Sequence, residues 1–147
     1  MTRLICHIGF EKTGSTSIQS FLNKQELEGV DVPWLYPQTG KVHGHHFEIA
    51  KPKISARELR DSLLKEATGA DLVVISSEHF SHARNLGEIQ EYAEVFSEYD
   101  VSIVFYLRDP YDWLISLYGE YIKWGGHLLL HRFYQAQEWQ FNYVNLI

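Results

Sequence analysis

The chain has a single cysteine, Cys6, among its 147 residues, which excludes an internal disulfide. A lone thiol fits a reducing compartment, and a cytoplasmic location is the expectation. Long apolar runs are missing too. None approaches the about 20 residues that cross a bilayer, so no membrane span is expected. Positive charge is scarce: 13 Lys and Arg stand against 19 Asp and Glu, a net −6. A basic surface is the usual footprint of nucleic-acid binding, and its lack argues against that class. There are no repeats, low-complexity tracts or interdomain linker, and the first residues enter a strand pattern without the basic-plus-apolar start of a signal peptide. Hydrophobic residues make up 45%, enough for a real core, and the length suits one domain over residues 1–147.

The apolar residues fall into alternating strand and helix patterns. Arg3-Leu4-Ile5-Cys6-His7-Ile8 reads as a buried strand, with Cys6 in step with Leu4 and Ile8 and therefore a packed core thiol rather than a nucleophile. A helical pattern follows with Ile18, Phe21 and Leu22 on one face. Val32–Pro37 contains two prolines, which limits it to an edge strand or loop. A short helix is expected near His46–Ala50, ended by Pro52. Ser55 and Glu58 form a capping-box pattern opening a helix to about Thr68, with Leu59, Leu63 and Leu64 inward and Gly69 as its stop. Asp71–Ser76 and Val101–Leu107 read as strands, separated by a helix bearing Leu86, Ile89, Ala93 and Phe96. Asp109-Pro110 opens a helix to about Trp124, Gly125-Gly126 end it, and a last helix starts at Leu129. Three strands alternating with helices predict a parallel α/β sheet flanked by helices, in three α/β/α layers. Ligands of such sheets bind beyond the C-terminal strand ends, where the loop after Ile8, Glu78-His79 and Arg108 all fall.

The loop Gly9-Phe10-Glu11-Lys12-Thr13-Gly14-Ser15-Thr16-Ser17 has the composition of an anion cradle. Its two glycines allow tight or left-handed backbone, and Ser15, Thr16 and Ser17 place N–H groups at a helix N-terminus. Lys12 adds positive charge. Gly9 and Gly14 have the separation of the nucleotide P-loop, but Ser15 stands where that motif needs lysine. The plain alternative is a Gly/Ser turn that only caps the helix.

Lys12-Thr13-Gly14-Ser15-Thr16 resembles the first loop of sulfotransferases that use 3′-phosphoadenosine 5′-phosphosulfate (PAPS), which runs Lys-[Ser/Thr]-Gly-[Ser/Thr]-Thr. A second stretch strengthens the likeness: Arg108, Pro110, Ser116 and Tyr118 match that family's Arg-x-Pro with Ser eight residues after the Arg and Tyr two further on. The resemblance covers about residues 3–124. It implies a P-loop-like α/β/α fold and an enzyme that moves a sulfuryl group from PAPS, without a metal, to a hydroxyl or amine of a carbohydrate or small molecule. It implies that Lys12, Thr13, Gly14, Ser15, Thr16 and Ser17 hold the 5′-phosphosulfate, and that Arg108 and Ser116 grip the 3′-phosphate. Lys12 is also a catalytic candidate, through the charge on the leaving oxygen.

A base must take the acceptor's proton. Glu78-His79 follows a strand in a place where many of these enzymes carry an active-site residue, with Ser77 and Ser81 beside it. His43-Gly44-His45-His46 resembles a stretch of polysaccharide 2-O-sulfotransferases. His45, His46 and Glu78 are thus the candidates, with His79 adjacent. The alternatives are an ion pair from Glu78 to Lys12 or Arg108, and a solvated loop at His43. A zinc site lacks a cysteine pair or H-E-x-x-H spacing. Trp34, Trp113, Trp124 and Trp139 are either core or acceptor surface, with Trp113 and Tyr118 read as core.

Two other function classes compete: a nucleotide or small-molecule kinase, which Ser15 argues against, and a non-catalytic nucleotide-binding fragment. The family continues beyond its second motif, whereas this sequence stops within an apolar helical pattern bearing Phe141, Tyr143, Val144, Leu146 and Ile147. A truncated domain, lacking part of its cofactor cover and prone to self-association through that end, is the expectation.

Overall fold

The structure, a computed structural model, describes residues 1–9, 11–24, 29–82 and 86–141. The chain divides into two compact units, Met1–Tyr106 and Leu107–Ile147.

The first unit is built on four strands: β1 (Arg3–His7), β2 (Trp34–Leu35), β3 (Leu72–Ser76) and β4 (Asp100–Val104). All pairings are parallel and the order is β2-β3-β1-β4. The register is level, with Arg3 opposite Leu72 and Asp100, and His7 opposite Ser76 and Val104. The C-terminal ends of the three long strands therefore form one rim.

Strand side chains alternate between faces, and on β1 and β3 each face meets helices, whereas β4 is exposed along its length. Ile5, Leu72 and Val74 pack on α1 (Ser15–Asn23) through Ile18 and Leu22. Leu4, Cys6, Val73 and Ile75 pack on the other side, against α2 (Phe47–Ala50), α3 (Ala56–Glu66) and the end of α4 (Leu86–Val95), through Ile49, Leu59, Leu63 and Val95. This is the expected three-layer α/β arrangement. Each such aliphatic side chain contributes about 1.5–3 kcal/mol on full burial. Cys6 is 4% exposed and burial pushes its thiol up to about 12, as befits a core residue.

Local signals act as the sequence implies. Ser55 Oγ accepts from the Glu58 N–H at 3.3 Å while the Ser55 N–H donates to Glu58 Oε2 at 3.0 Å, a complete capping box. Gly69 takes the left-handed φ of 88° just beyond α3. Three expectations need correction. Leu64, expected inward, is 36% exposed, because the buried stripe of its helix is narrower than its apolar content. The helix after Ser55 stops at Glu66, not Thr68. The last strand ends at Val104 rather than Leu107. Among the described residues its sole partner is β1, and after the Ile8 N–H donates to Val104 O at 2.9 Å that partner turns away into the loop.

The second unit contains α5 (Pro110–Lys123) and α6 (Leu130–Phe141). Asp109 Oδ1 accepts from the N–H groups of Tyr111 and Asp112 at 3.0 and 3.2 Å, and Pro110 occupies the first turn. Gly125 ends α5 at φ 83°, and a Cβ on Gly126 would lie 2.2 Å from the Tyr121 ring. Tyr121 Oη accepts from the His127 and Leu128 N–H groups, and its ring lies 4.9 Å from that of Phe133, so one tyrosine organises the turn and the helix pair. Trp113 is buried, as expected, and Tyr118 is half-buried. Residues 142–147 and the side chains of Trp139 and Phe141, which bear on the apolar C-terminal end, lie outside the described residues. Among the described residues no helix is long and apolar enough to cross a membrane.

Candidate functional site

The loop between β1 and α1 lies on the rim of the sheet, at the end of the central strand β1. Lys12 and Gly14 both take left-handed backbone, φ 64° and 89°, and Gly14 is the N-cap of α1. The Ser17 and Ile18 N–H groups turn back to Gly14 O at 3.0 and 3.3 Å. Those of Ser15 and Thr16 precede that first intrahelical bond and stand at the positive end of the helix. Gly14, Thr16 and Ser17 are exposed, Lys12 and Thr13 half-buried, and Ser15 is 3% exposed. Among the described residues no side chain caps the helix. The arrangement suits a multivalent anion such as phosphate or phosphosulfate.

Ser15 turns inward, and its hydroxyl donates to Glu78 Oε2 at 2.5 Å. Glu78 opens the short 3₁₀ helix Glu78–His82 that continues from β3. Ser81 Oγ donates to the Glu78 carbonyl at 2.6 Å and secures that turn. The Glu78 carboxylate also favours the charged forms of His7 and His45, against the dominant effect of burial, which holds both rings below the usual histidine range.

His45 is delivered by a two-residue turn. Val42 and His45 exchange N–H···O bonds at 2.8 and 3.1 Å, and His43 and Gly44 between them have φ 49° and 87°. Two successive positive φ values match a type I′ turn, for which glycine at the second place is suited. Asn23 Nδ2 and Tyr36 Oη both donate to Gly44 O, at 2.7 and 3.0 Å, and tie the turn to α1 and to the segment after β2. His45 Nδ1 shares a hydrogen bond with Ser77 Oγ at 3.3 Å, and its ring stacks on that of His79 at 5.7 Å. His43 is exposed.

His46 has a different situation. It is 0% exposed, its Nδ1 accepts from the Ser76 N–H at 3.0 Å, and its Nε2 therefore carries the proton and donates to Pro37 O at 3.0 Å. Its own N–H donates to Ser76 O at 2.8 Å. Burial lowers this ring to about 4. With both nitrogens committed, His46 bolts the loop after β2 to the end of β3.

The first unit thus brings together the loop, Glu78, His45 and His79, while Arg108 and Ser116 belong to the second unit. Arg108 is exposed just before the Asp109 cap and Ser116 is half-buried on α5. The sequence reading overlooked His7, Ser76 and Gln19. His7 is 3% exposed; its Nδ1 shares a 2.8 Å hydrogen bond with Ser76 Oγ, which also accepts from Gln19 Nε2 at 3.3 Å. Polar residues at the last positions of two buried strands were the available signal. Among the described residues no group of three His, Cys, Asp or Glu is arranged to hold a metal ion. No family model matches the sequence, and comparison with curated proteins returns no match.

Proposed function

We propose that this chain is a sulfotransferase domain that delivers a sulfuryl group from PAPS to an acceptor hydroxyl or amine. The observation that carries the reading is the Lys12–Ser17 loop. It joins the central strand to a helix whose N-cap, Gly14, is left-handed and whose first turn is open to an anion. Bound there, the donor supplies a sulfuryl group joined to phosphate through an anhydride oxygen.

The N–H groups of Gly14, Ser15 and Thr16 hold the anionic end, and Lys12 balances charge that grows on the bridging oxygen as its bond to sulfur breaks. His45 takes the acceptor's proton while the acceptor oxygen or nitrogen bonds to sulfur. Burial lowers its basicity, so the ring is neutral and ready to accept at neutral pH. Ser77 orients it, and Glu78 steadies the imidazolium that results. His46, with both nitrogens occupied, serves the scaffold and leaves His45 as the base. Arg108 and Ser116 supply the charged fork and hydroxyl for the 3′-phosphate.

Two measurements test this: titration with adenosine 3′,5′-bisphosphate against Mg-ATP, and turnover of labelled PAPS over a panel of sugar and phenol acceptors. Tighter binding of the bisphosphate together with label transfer is the expected result. Preference for Mg-ATP, or no binding of either, would overturn it.

A further inference from the structure

The ring of His7 ends β1 directly beneath the loop. A Cβ placed on Gly9 would lie 2.8 Å from His7 Nε2 and 3.3 Å from Thr13 Oγ1. The imidazole edge and the threonine hydroxyl thus converge on Gly9, a loop position without a side chain. His7 is 3% exposed, and its Nε2 has no hydrogen-bond partner among the described residues. Its Nδ1 is occupied by Ser76 Oγ, and its ring is fixed edge-to-face against Tyr106 at 5.6 Å. A buried polar atom without a partner costs about 1–3 kcal/mol, so a ring locked in this orientation calls for an occupant.

We infer that His7 is a ligand-binding residue of the loop, its Nε2–H donating to an oxygen of the bound 5′-phosphate group. This rests on the proposed PAPS reading and adds a contact from the floor of the site to those from the helix end. The chemistry is consistent. A phosphate or phosphosulfate oxygen only accepts, so the ring must present a proton at Nε2. The Ser76 hydroxyl can rotate to donate to Nδ1, which selects that tautomer. Gly9 is then required because any side chain there would fill the space between ring and ligand.

The test is ring ¹⁵N NMR of the whole chain, with and without adenosine 3′,5′-bisphosphate, beside affinity measurements on His7→Leu and His7→Gln. The His7 Nε2 resonance should be that of a protonated nitrogen throughout, and on ligand addition it should shift as its proton enters a hydrogen bond. His7→Leu should weaken binding about ten- to a hundredfold, the scale of one hydrogen bond to a charged group. His7→Gln, which keeps an N–H at a similar reach, should recover most of it. Should the leucine variant fail to fold, the wild-type spectrum decides alone. Ligand binding with an unmoved His7 resonance, or full affinity in a folded His7→Leu, overturns this inference and leaves the PAPS reading intact. Failure of the wild-type chain to bind the bisphosphate overturns both.

Discussion

The hydroxyl of Ser15 donates to Glu78 Oε2 at 2.5 Å, joining the first residue of α1 to the turn that leaves β3. This bond explains why a serine stands where a nucleotide P-loop has lysine. At 3% exposure the side chain has no route to a ligand; it points into the protein and braces the loop. In the proposed reading the lysine that serves the anion is Lys12, earlier in the loop and half-buried. Ser15→Ala should cost about 1 kcal/mol of stability, by losing that bond and freeing the carboxylate. Its effect on turnover should exceed its effect on the melting temperature, because the same carboxylate faces His45. Paired melting and rate measurements check this.

In the proposed reading Lys12 has a part in turnover and Arg108 a part in holding the 3′-phosphate. Lys12→Ala should lower turnover more than affinity, since its charge is needed most as the bridging bond breaks. Arg108→Ala should weaken adenosine 3′,5′-bisphosphate by roughly ten- to a hundredfold, the loss of charge-assisted hydrogen bonds. Calorimetric titration of the two variants reads the split, and unchanged affinity in folded Arg108→Ala would remove that residue from the site.

A His45 base gives turnover that rises with pH. Burial is the largest influence on the ring and lowers its pKa, so the midpoint should lie below the ordinary 6.5. Glu78→Gln removes a charge that favours the imidazolium and should move the midpoint lower still. A pH–rate profile for wild type, His45→Gln and Glu78→Gln decides; a pH-dependent profile kept by His45→Gln at full rate would assign the base elsewhere.

His46 links acidity to folding. Its folded pKa, about 4, lies below the ordinary 6.5, so the unfolded chain binds a proton that the folded chain refuses. Stability from this ring is fully present above pH 6.5 and is lost progressively as the pH falls to about 4, by about 3 kcal/mol. Denaturant unfolding across that window should show a steep loss that His46→Gln flattens, on a lower baseline.

Gly14 isolates the value of loop geometry. A Cβ there would meet nothing within 4 Å, yet φ is 89°. Gly14→Ala should therefore cost about 1–2 kcal/mol purely through the left-handed backbone, with no clash to relax. Bisphosphate affinity should fall alongside, as the N–H groups lose their aim. A stable, fully binding Gly14→Ala would show that the anion is held without this conformation.

The sequence carried the architecture well where its signals were local. The Ser55–Glu58 box, the Asp109-Pro110 helix start, Gly69 and Gly125 all act as their residue types demand. The alternation of Leu4, Cys6 and Ile8 put the thiol in the core correctly. Signals that depend on a neighbour were weaker. The end of β4 is set by where β1 turns away, and nothing in Phe105, Tyr106 or Leu107 encodes that. His45 and His46 are adjacent in sequence, yet one lies by the rim and the other is buried. Their difference comes from Pro37 and the Ser76 backbone, which composition cannot reveal. His7 went unnoticed because one polar residue at the end of an apolar run looks like a boundary.

The level register has a consequence for how the chain is made. β1 is synthesised before both of its neighbours, β3 and β4, so Arg3 waits for Leu72 on one side and Asp100 on the other. Closing such long loops is slow, because chain entropy is lost before the distant contacts reward it. The loop that ends β1 takes shape only when Ile8 can reach Val104. The loop after β1 is thus completed only once residue 104 has been made, and a ribosome-bound chain that has not yet emerged past that residue carries the loop sequence without its folded form.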